Sequence, residues 1–374
     1  PFVVGPDAPL AAGITDHLQA QGLAVFGPTK LGAQIEASKA WAKDLMQEAK
    51  IPTARSAVFT QAEPAIAYVR AEGAPIVIKA DGLAAGKGVT VATTLDEAVT
   101  AIQEAFDGKF GEAGQRVVIE ECLMGQEASV LALTDGITIR ALLPAQDHKR
   151  IGDGDTGANT GGMGAYAPAP IVTPELMDRI QQEILEPAIA TLQKRKIDYR
   201  GVLYAGLMIT PTGDPKVIEF NCRFGDPETQ VVLPLLETPL EEVLLACVEQ
   251  RLAGFPDFVW KPGACTCVVM AAGGYPDSYA KGKVITGIDQ AEERGAMVFH
   301  AGTQRQQQKI FTDGGRVLGV TALGDTFDSA IANAYAAVNC IQFEDMYFRR
   351  DIGHRVRNAA PTPEKPSESP SSLP

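Results

Sequence analysis

Residues 75–92 read PIVIKADGLAAGKGVTVA, which is two β-forming runs joined by a glycine-rich turn. The runs at 76–79 and 89–92 are rich in β-branched residues and predict two strands. Glycines between strands let backbone N–H groups approach phosphate oxygens, and lysines supply positive charge. The residues concerned are Lys79, Gly82, Gly86, Lys87 and Gly88. The segment therefore predicts a phosphate-binding loop held between two strands.

Two other interpretations exist for such a segment. A P-loop needs four residues between its glycines, a Ser or Thr after the lysine, and a helix behind it. Here three residues separate Gly82 from Gly86, Gly88 follows Lys87, and a strand comes next. A P-loop nucleotide hydrolase is therefore disfavoured, and a plain hairpin turn remains the alternative.

Residues 216–230, KVIEFNCRFGDPETQ, predict a strand that ends in polar residues. Strand alternation sends Glu219, Asn221 and Arg223 to one face. Mg²⁺ binds through one or two protein oxygens together with substrate phosphates, so this face suits a magnesium–nucleotide site. An ordinary exposed strand end is the alternative. The apolar run at 202–210 predicts a buried neighbouring strand, which favours a polar face turned into a cleft.

Residues 117–129, VVIEECLMGQEAS, predict a strand that ends on two carboxylates, followed by a short turn. Such a crossover can present backbone groups to an adenine, and Glu127 can then hold the ribose hydroxyls. A solvated acidic surface explains the same spacing equally well.

Residues 146–168, QDHKRIGDGDTGANTGGMGAYAP, combine charged residues with glycines and Asn159. Together with its flanks at 144–170, this stretch is expected to lack regular structure. Long loops of this kind are usually functional or disordered. The side chains suit a small zwitterion and a sugar, and a mobile loop without a ligand is the alternative.

The rest of the chain alternates between strand and helix signals. A strand at 2–5, a helix at 9–21 and a strand at 23–26 are typical of a parallel α/β sheet. Ser38 and Thr173 are expected to cap helices, and Asp135-Gly136 is expected to turn a hairpin. Thr60 with Glu63, and Thr94 with Glu97, have capping-box spacing.

Composition limits the class of protein. The chain has 374 residues, 45% of them hydrophobic, which is enough for two or three domains. Its net charge is −13. It has no run of five or six basic residues, which argues against a nucleic-acid partner. It also has no apolar stretch of about 18 residues and no basic flank at its start, so we expect no membrane partner and a cytoplasmic location.

The six cysteines lack metal or disulfide spacing and predict reduced thiols, and the four histidines do not predict a metal site.

Five segments, in this order and spacing, closely resemble the signature segments of phosphoribosylamine–glycine ligases: GPTKLGAQIEASKAW, IKADGLAAGKGV, QDHKR, DTGANTGGMGAY and EFNCRFGDPETQ. The resemblance covers residues 1 to about 356 and includes the later segments VVMAAGGYP and FHAGT. It implies an α/β and α+β multidomain protein with an ATP-grasp fold, in which a lid and a body clamp ATP between two sheets. It also implies that ATP-dependent ligation of glycine to phosphoribosylamine gives glycinamide ribonucleotide, ADP and phosphate through glycyl phosphate, in purine biosynthesis.

The resemblance also implies roles for individual residues. Groups that hold ATP phosphates would include Lys39 and Lys79 with the glycine-rich loop, and the adenosine would lie against Glu120, Glu121, Leu123 and Glu127. Mg²⁺ or Mn²⁺ would bind Glu219 and Asn221. The substrate end would be lined by Asp147, Lys149, Asn159, Arg223 and Asp226, among which Arg223, Asp147 and Asn159 are the catalytic candidates. Glycine, phosphoribosylamine and ATP are the expected partners of a monomer.

The implied domains are an ATP-grasp body at 29–55 and 123–255, a lid at 56–122 and a C-terminal α+β domain at 256–356. Residues 357–374 are rich in Pro and Ser and predict a disordered tail. Residues 1–28 resemble a partial Rossmann-like domain, because the family begins with a glycine-rich loop that does not precede Phe2 here. We therefore expect an N-terminally truncated enzyme. The alternatives are an ATP-binding remnant with impaired ligation and a related ATP-grasp ligase that acts on another acid.

Overall fold

The computed structural model of the chain describes residues 1–83 and 88–357. Gly86, Lys87 and residues 358–374 of the tail expected at 357–374 lie outside the described residues. The first elements are β1 (Phe2–Val3), α1 (Asp7–Ala12), α2 (Ile14–Ala20) and β2 (Val25–Phe26). The two strands pair in parallel, as predicted. The single helix expected at 9–21 is wrong, because Gly13 adopts a left-handed conformation with φ of 94° that ends α1 and separates it from α2.

The next helices are α3 (Gln34–Ala37) and α4 (Lys39–Ala49). The predicted cap is confirmed, because Ser38 Oγ accepts a hydrogen bond from the Trp41 backbone N–H at 3.1 Å. The helix ends where Lys50 adopts a left-handed conformation. Lys39 is thereby fixed in the first turn of α4.

Residues 56–121 form a separate four-stranded antiparallel sheet, which we name the lid sheet. Its elements are β3 (Ser56–Phe59), α5 (Ala62–Glu72), β4 (Ile76–Ala80), β5 (Val89–Ala92), α6 (Leu95–Glu104) and β6 (Val117–Glu121), and its strand order is β3–β6–β4–β5. The strand–glycine loop–strand prediction is confirmed by the pairing of β4 with β5. The capping box of Thr94 with Glu97 is confirmed, but that of Thr60 with Glu63 is wrong, because α5 begins one residue later behind Gln61.

The predicted hairpin consists of β7 (Gln126–Thr134) and β8 (Ile139–Ala141), which pair around the turn at Asp135. The expectation of an irregular stretch at 144–170 is wrong. The stretch contains four short strands, β9 (Gln146–Asp147), β10 (Arg150–Gly152), β11 (Thr156–Asn159) and β12 (Gly164–Ala167). Strand β12 pairs with residues 265–268 of a later strand. Gly164 permits the close approach of the two backbones, because a Cβ at this position would lie 2.5 Å from Cys267 O.

The body continues through α7 (Pro174–Ile180), α8 (Glu186–Lys194), β13 (Gly201–Ile209), β14 (Pro215–Asn221), α9 (Thr229–Val232) and α10 (Leu240–Val248). Thr173 caps α7 as predicted. The strands form a four-stranded antiparallel sheet in the order β14–β13–β7–β8. One face of β13 packs against α4, α7 and α8 through a shared apolar core. This buried sheet supports the polar end of β14.

The last elements are β15 (Ala264–Ala271), β16 (Val284–Ile285), α11 (Ile288–Glu293), β17 (Met297–His300), β18 (Thr303–Gln306), β19 (Lys309–Thr312), β20 (Arg316–Gly324), α12 (Phe327–Val338) and α13 (His354–Arg357). A five-stranded sheet has the order β17–β20–β15–β12–β9 and so crosses the boundary expected at residue 256. The domain boundaries stay a prediction. All six cysteines are free, as predicted. Within 1–83 and 88–357, no helix has the length and apolar character needed to cross a bilayer.

Candidate active site

A buried row of alternating charges connects the lid sheet with the body. Lys79 on β4 lies with its Nζ 3.0 Å from Glu120 Oε2 and donates a hydrogen bond to Ile218 O, also at 3.0 Å. Glu120 on β6 lies with its Oε1 3.2 Å from Lys43 Nζ. All three charged side chains are at most 7% exposed. Burial lowers the pKa of Lys43, and Glu120 opposes that shift. Glu120 therefore serves as the counter-ion of two lysines.

A second connection joins the start of the glycine-rich loop to helix α4. Asp81 accepts hydrogen bonds from Ser38 Oγ at 3.1 Å and from Ala40 N at 3.0 Å, and it pairs with Arg116. Lys39 donates to Gly82 O at 3.0 Å. Burial lowers the pKa of Lys39, and the charge of Lys79 adds to this effect while Glu219 opposes it. Lys39 and Lys79 therefore lie close together in the region between the lid sheet and the body, which we name the cleft.

Gly82, at the start of the loop, is required by close packing. Gly82 has φ of 156°, and a Cβ there would lie 2.7 Å from Ala113 Cβ. Gly88 is buried, and its carbonyl accepts a hydrogen bond from Ala80 N at 2.8 Å. Both ends of the loop are thus held against the lid sheet.

Glu219 on β14 lies at the centre of the cleft. Burial by itself would raise the pKa of Glu219. Positive charges outweigh burial and lower this pKa, and they come from Lys149, Lys79, Lys39 and Arg223. Glu219 is therefore an ionised carboxylate held among four cationic side chains.

Asn221 supplies a second oxygen on the same strand, one alternation further along. Its Oδ1 accepts a hydrogen bond from Arg223 Nη2 at 3.3 Å. A carboxylate and an amide oxygen are suitable ligands for Mg²⁺ or Mn²⁺. The described part of the chain contains no group of three or more His, Cys, Asp or Glu that could hold a metal by itself. An ion on Glu219 and Asn221 would therefore need phosphate oxygens to complete its shell.

Arg223 is fixed by a residue from another element. Its Nη2 lies 2.9 Å from Glu36 Oε1 on α3, and Glu36 Oε2 accepts from Cys222 N at 2.8 Å. Burial raises the pKa of Glu36 despite the charge of Arg223. This pair directs the guanidinium toward Asn221.

At the other end of the cleft, Lys149 lies with its Nζ 2.8 Å from Glu127 Oε2. Nearby carboxylates, chiefly Glu127 and Glu219, outweigh burial and raise the pKa of Lys149. Burial and the charge of Glu228 raise the pKa of Asp147 well above its ordinary value. Asp147 Oδ1 is buried and has no hydrogen-bond partner among the described residues. This oxygen therefore has an unused capacity to accept a hydrogen bond.

The remaining expected residues are less closely connected. Asp226 pairs with Arg316 at 3.2 Å, at the edge of the cleft. Asn159 lies exposed on β11, opposite Arg150, and within the described ranges no hydrogen bond joins its side chain to the cluster. Glu121 pairs with Arg55 at 3.1 Å, and Leu123 is half-buried at the crossover.

Comparison with known proteins agrees with this architecture. Three domain models of phosphoribosylglycinamide synthetase match the chain: the N domain at 2–36, the ATP-grasp (A) domain at 37–229 and the C domain at 265–355. The chain belongs to the phosphoribosylglycinamide synthetase family. The ATP-grasp fold implied by the sequence is confirmed.

Individual relatives of the chain support the same family assignment. The phosphoribosylamine–glycine ligase of Nostoc sp. is 70% identical over 95% of this chain and 84% of the relative. The crystal structure of the Thermotoga maritima phosphoribosylamine–glycine ligase has a TM-score of 0.81 at 36% identity, over 88% of this chain and 82% of that one. A biotin carboxylase from Campylobacter jejuni has a TM-score of 0.72 at 14% identity, over 92% of this chain and 76% of that one, and so shares the fold.

Four charged residues of the site were not predicted from the sequence: Glu36, Lys43, Glu228 and Arg316. Lys43 had a signal, because it lies four residues after Lys39 on the same helix face. Glu228 accepts from Tyr204 Oη at 2.5 Å and from Ser129 Oγ at 2.9 Å, partners on two other strands. Arg316 reaches Asp226 across 90 residues. The contacts of Glu228 and Arg316 depend on the fold, and no local sequence pattern predicts them.

Proposed function

We propose that this chain joins glycine to phosphoribosylamine with consumption of ATP, giving glycinamide ribonucleotide, ADP and phosphate through glycyl phosphate. The observation that carries the proposal is the position of Glu219, an ionised carboxylate among four cationic side chains between the lid sheet and the body. Such an arrangement suits a reaction that depends on phosphate positioning and charge neutralisation, with no protein nucleophile.

At the nucleotide end, Lys39, Lys79 and the glycine-rich loop hold the phosphates of ATP. Glu120 keeps the ammonium of Lys79 in place while Lys43 balances its charge. The adenosine lies at the crossover, against backbone groups near Glu121 and Leu123, with Glu127 toward the ribose. Glu219 and Asn221 hold Mg²⁺ or Mn²⁺, which supplies charge neutralisation at the phosphates when bound.

At the substrate end, Asp147 Oδ1 accepts a hydrogen bond from the amino group of a substrate, because no residue in the described part of the chain pairs with this atom. Lys149 and Arg223 face the negative charge that develops when the glycine carboxylate attacks the γ-phosphate and when phosphate leaves. Asn159 and Asp226 complete the wall of the site. The substrates are small molecules, and we further propose a cytoplasmic monomer.

The proposal is tested with the purified chain, ATP, Mg²⁺, glycine and phosphoribosylamine. Phosphate release and a product of the mass of glycinamide ribonucleotide should both require ATP, Mg²⁺, glycine and phosphoribosylamine. Omitting each component in turn provides the controls. ATP binding without product, or product formed from a different acid and not from glycine, would contradict the proposal.

A further inference from the structure

A segment of the C-terminal part of the chain, residues 347–357, lies across the backbone of residues 146–168. We name residues 146–168 the substrate loop and residues 347–357 the clasp. Tyr347 Oη donates to Ile151 O at 2.8 Å, and Arg349 Nη1 donates to Arg150 O at 3.1 Å. Arg355 Nη1 donates to Asp147 O, also at 3.1 Å. Three backbone carbonyls of the loop are therefore fixed by side chains about 200 residues later in the chain.

Two aspartates connect the arginines of the clasp to the loop. Asp155 lies 2.9 Å from Arg349 Nη1 through Oδ1 and 2.6 Å from Arg355 Nη2 through Oδ2. Asp351 pairs with Arg349 at 2.7 Å and accepts from Gly154 N at 2.8 Å. The side chain of Arg349 is fully buried. A buried guanidinium is tolerated only when its donors are satisfied, so this network defines one position of the loop.

His148 provides a third connection and shows its own protonation state. The backbone N–H of Gly353 can only donate, so His148 Nε2, at 3.2 Å, accepts. Its Nδ1 then donates to Gly164 O at 3.1 Å, which makes the imidazole neutral. The residue between Asp147 and Lys149 is thereby fixed in position from both sides.

We infer that the clasp is a positioning element for the substrate end of the site, and that Arg355 and Arg349 are positioning residues for Asp147 and Lys149. The clasp contacts the loop through its backbone, Asp155 and His148. The side chain of Lys149 turns to Glu127 and the cleft. Nucleotide groups such as Lys79 are held separately, by the lid sheet and β14. The inference rests on the proposed function, because it assigns glycine and phosphoribosylamine to this end.

The test compares Arg355→Met with Arg355→Lys and with Arg350→Met in the full chain. Methionine keeps the apolar stem and removes both bonds, whereas lysine can restore one. Arg350 is a matched control in the same segment, because its guanidinium lies over the Phe348 ring, 5.3 Å from the centroid. We expect Arg355→Met to lower kcat/KM for glycine and phosphoribosylamine roughly 10- to 100-fold, with the ATP dissociation constant within about twofold of wild type. Arg355→Lys should recover part of the loss, and Arg350→Met should behave as wild type.

Hydrogen exchange gives an independent readout, and in Arg355→Met it should accelerate at residues 147–157 while the lid sheet is unchanged. Wild-type kinetics in Arg355→Met would overturn the inference, and so would a parallel loss of ATP affinity and substrate turnover. A wild-type chain that binds ATP but makes no glycinamide ribonucleotide would refute the proposed function instead. Exchange at 147–157 would still decide whether the clasp holds the loop.

Discussion

The neutral, buried His148 makes a quantitative prediction about stability and pH. Burial, reinforced by the charges of Arg355 and Arg349, lowers the pKa of His148 from 6.5 to about 3. Between these two values the unfolded chain binds a proton that the native chain does not. The free energy of unfolding therefore rises with pH across this window. The contribution of His148 is fully present above pH 6.5 and is lost as the pH falls toward 3.

The size of the effect follows from the shift. Each pH unit inside the window corresponds to about 1.4 kcal/mol, so lowering the pH from 7 to 5 should cost about 2 kcal/mol from this residue alone. Replacing His148 with glutamine removes the titration while its amide oxygen can still accept from Gly353 N. The variant should be less stable at pH 7 but should lose about 2 kcal/mol less than wild type between pH 7 and 5.

The assay is urea unfolding at pH 7, 6 and 5, with the free energy of unfolding compared at each pH. Other buried groups titrate in both proteins, so the informative quantity is the difference between the two pH slopes. Equal slopes in wild type and His148→Gln would refute the reasoning, because they would mean that His148 takes up its proton equally in both states.

Three further predictions concern the nucleotide end. Glu219→Ala should lower Mg²⁺-dependent kcat by roughly 10²–10³-fold with an unchanged circular dichroism spectrum, and near-normal turnover would contradict the metal assignment. Glu120→Gln should destabilise the chain by roughly 3–5 kcal/mol in chemical denaturation, because it leaves Lys43 and Lys79 buried without a counter-ion. The adjacent Glu121→Gln should cost only about 0–1 kcal/mol, because its partners Arg55 and Lys216 are 72% and 34% exposed, and similar costs for the two variants would argue against the buried row. ATP should slow hydrogen exchange at 76–83 and 88–92, and equal exchange with and without ATP would count against nucleotide binding there.

Local sequence patterns were sufficient to predict those parts of the fold and the site that lie within one strand, helix or hairpin. The β4–β5 hairpin follows from β-branched runs around glycines, and the shared face of Glu219 and Asn221 follows from strand alternation. The prediction for Thr60 failed because Gln61 takes the extended conformation at the start of α5, and Glu63 then stands two positions after the cap, too early for a capping box.

Contacts between distant segments could not be predicted in this way. Strand β12 consists of Gly, Ala and Tyr, a composition with weak β preference, and it is a strand because β15 pairs with it about 100 residues later. The same holds for Arg316 and Arg349, whose sequence neighbours give no indication of a cleft. The substrate end of the site was therefore less predictable than the nucleotide end.

The two connections between the lid sheet and the body have a mechanical consequence. Asp81 ties the end of β4 to the first turn of α4, and Lys79 ties the same strand to Ile218 on β14. The buried ion pair of Glu120 on β6 with Lys43 on α4 is a third fixed point between the same two parts. A rigid body held at three points does not rotate freely, so a wide opening of the lid sheet would have to break or rearrange buried polar contacts. The charges that hold the lid sheet in place therefore also set the energetic cost of opening it.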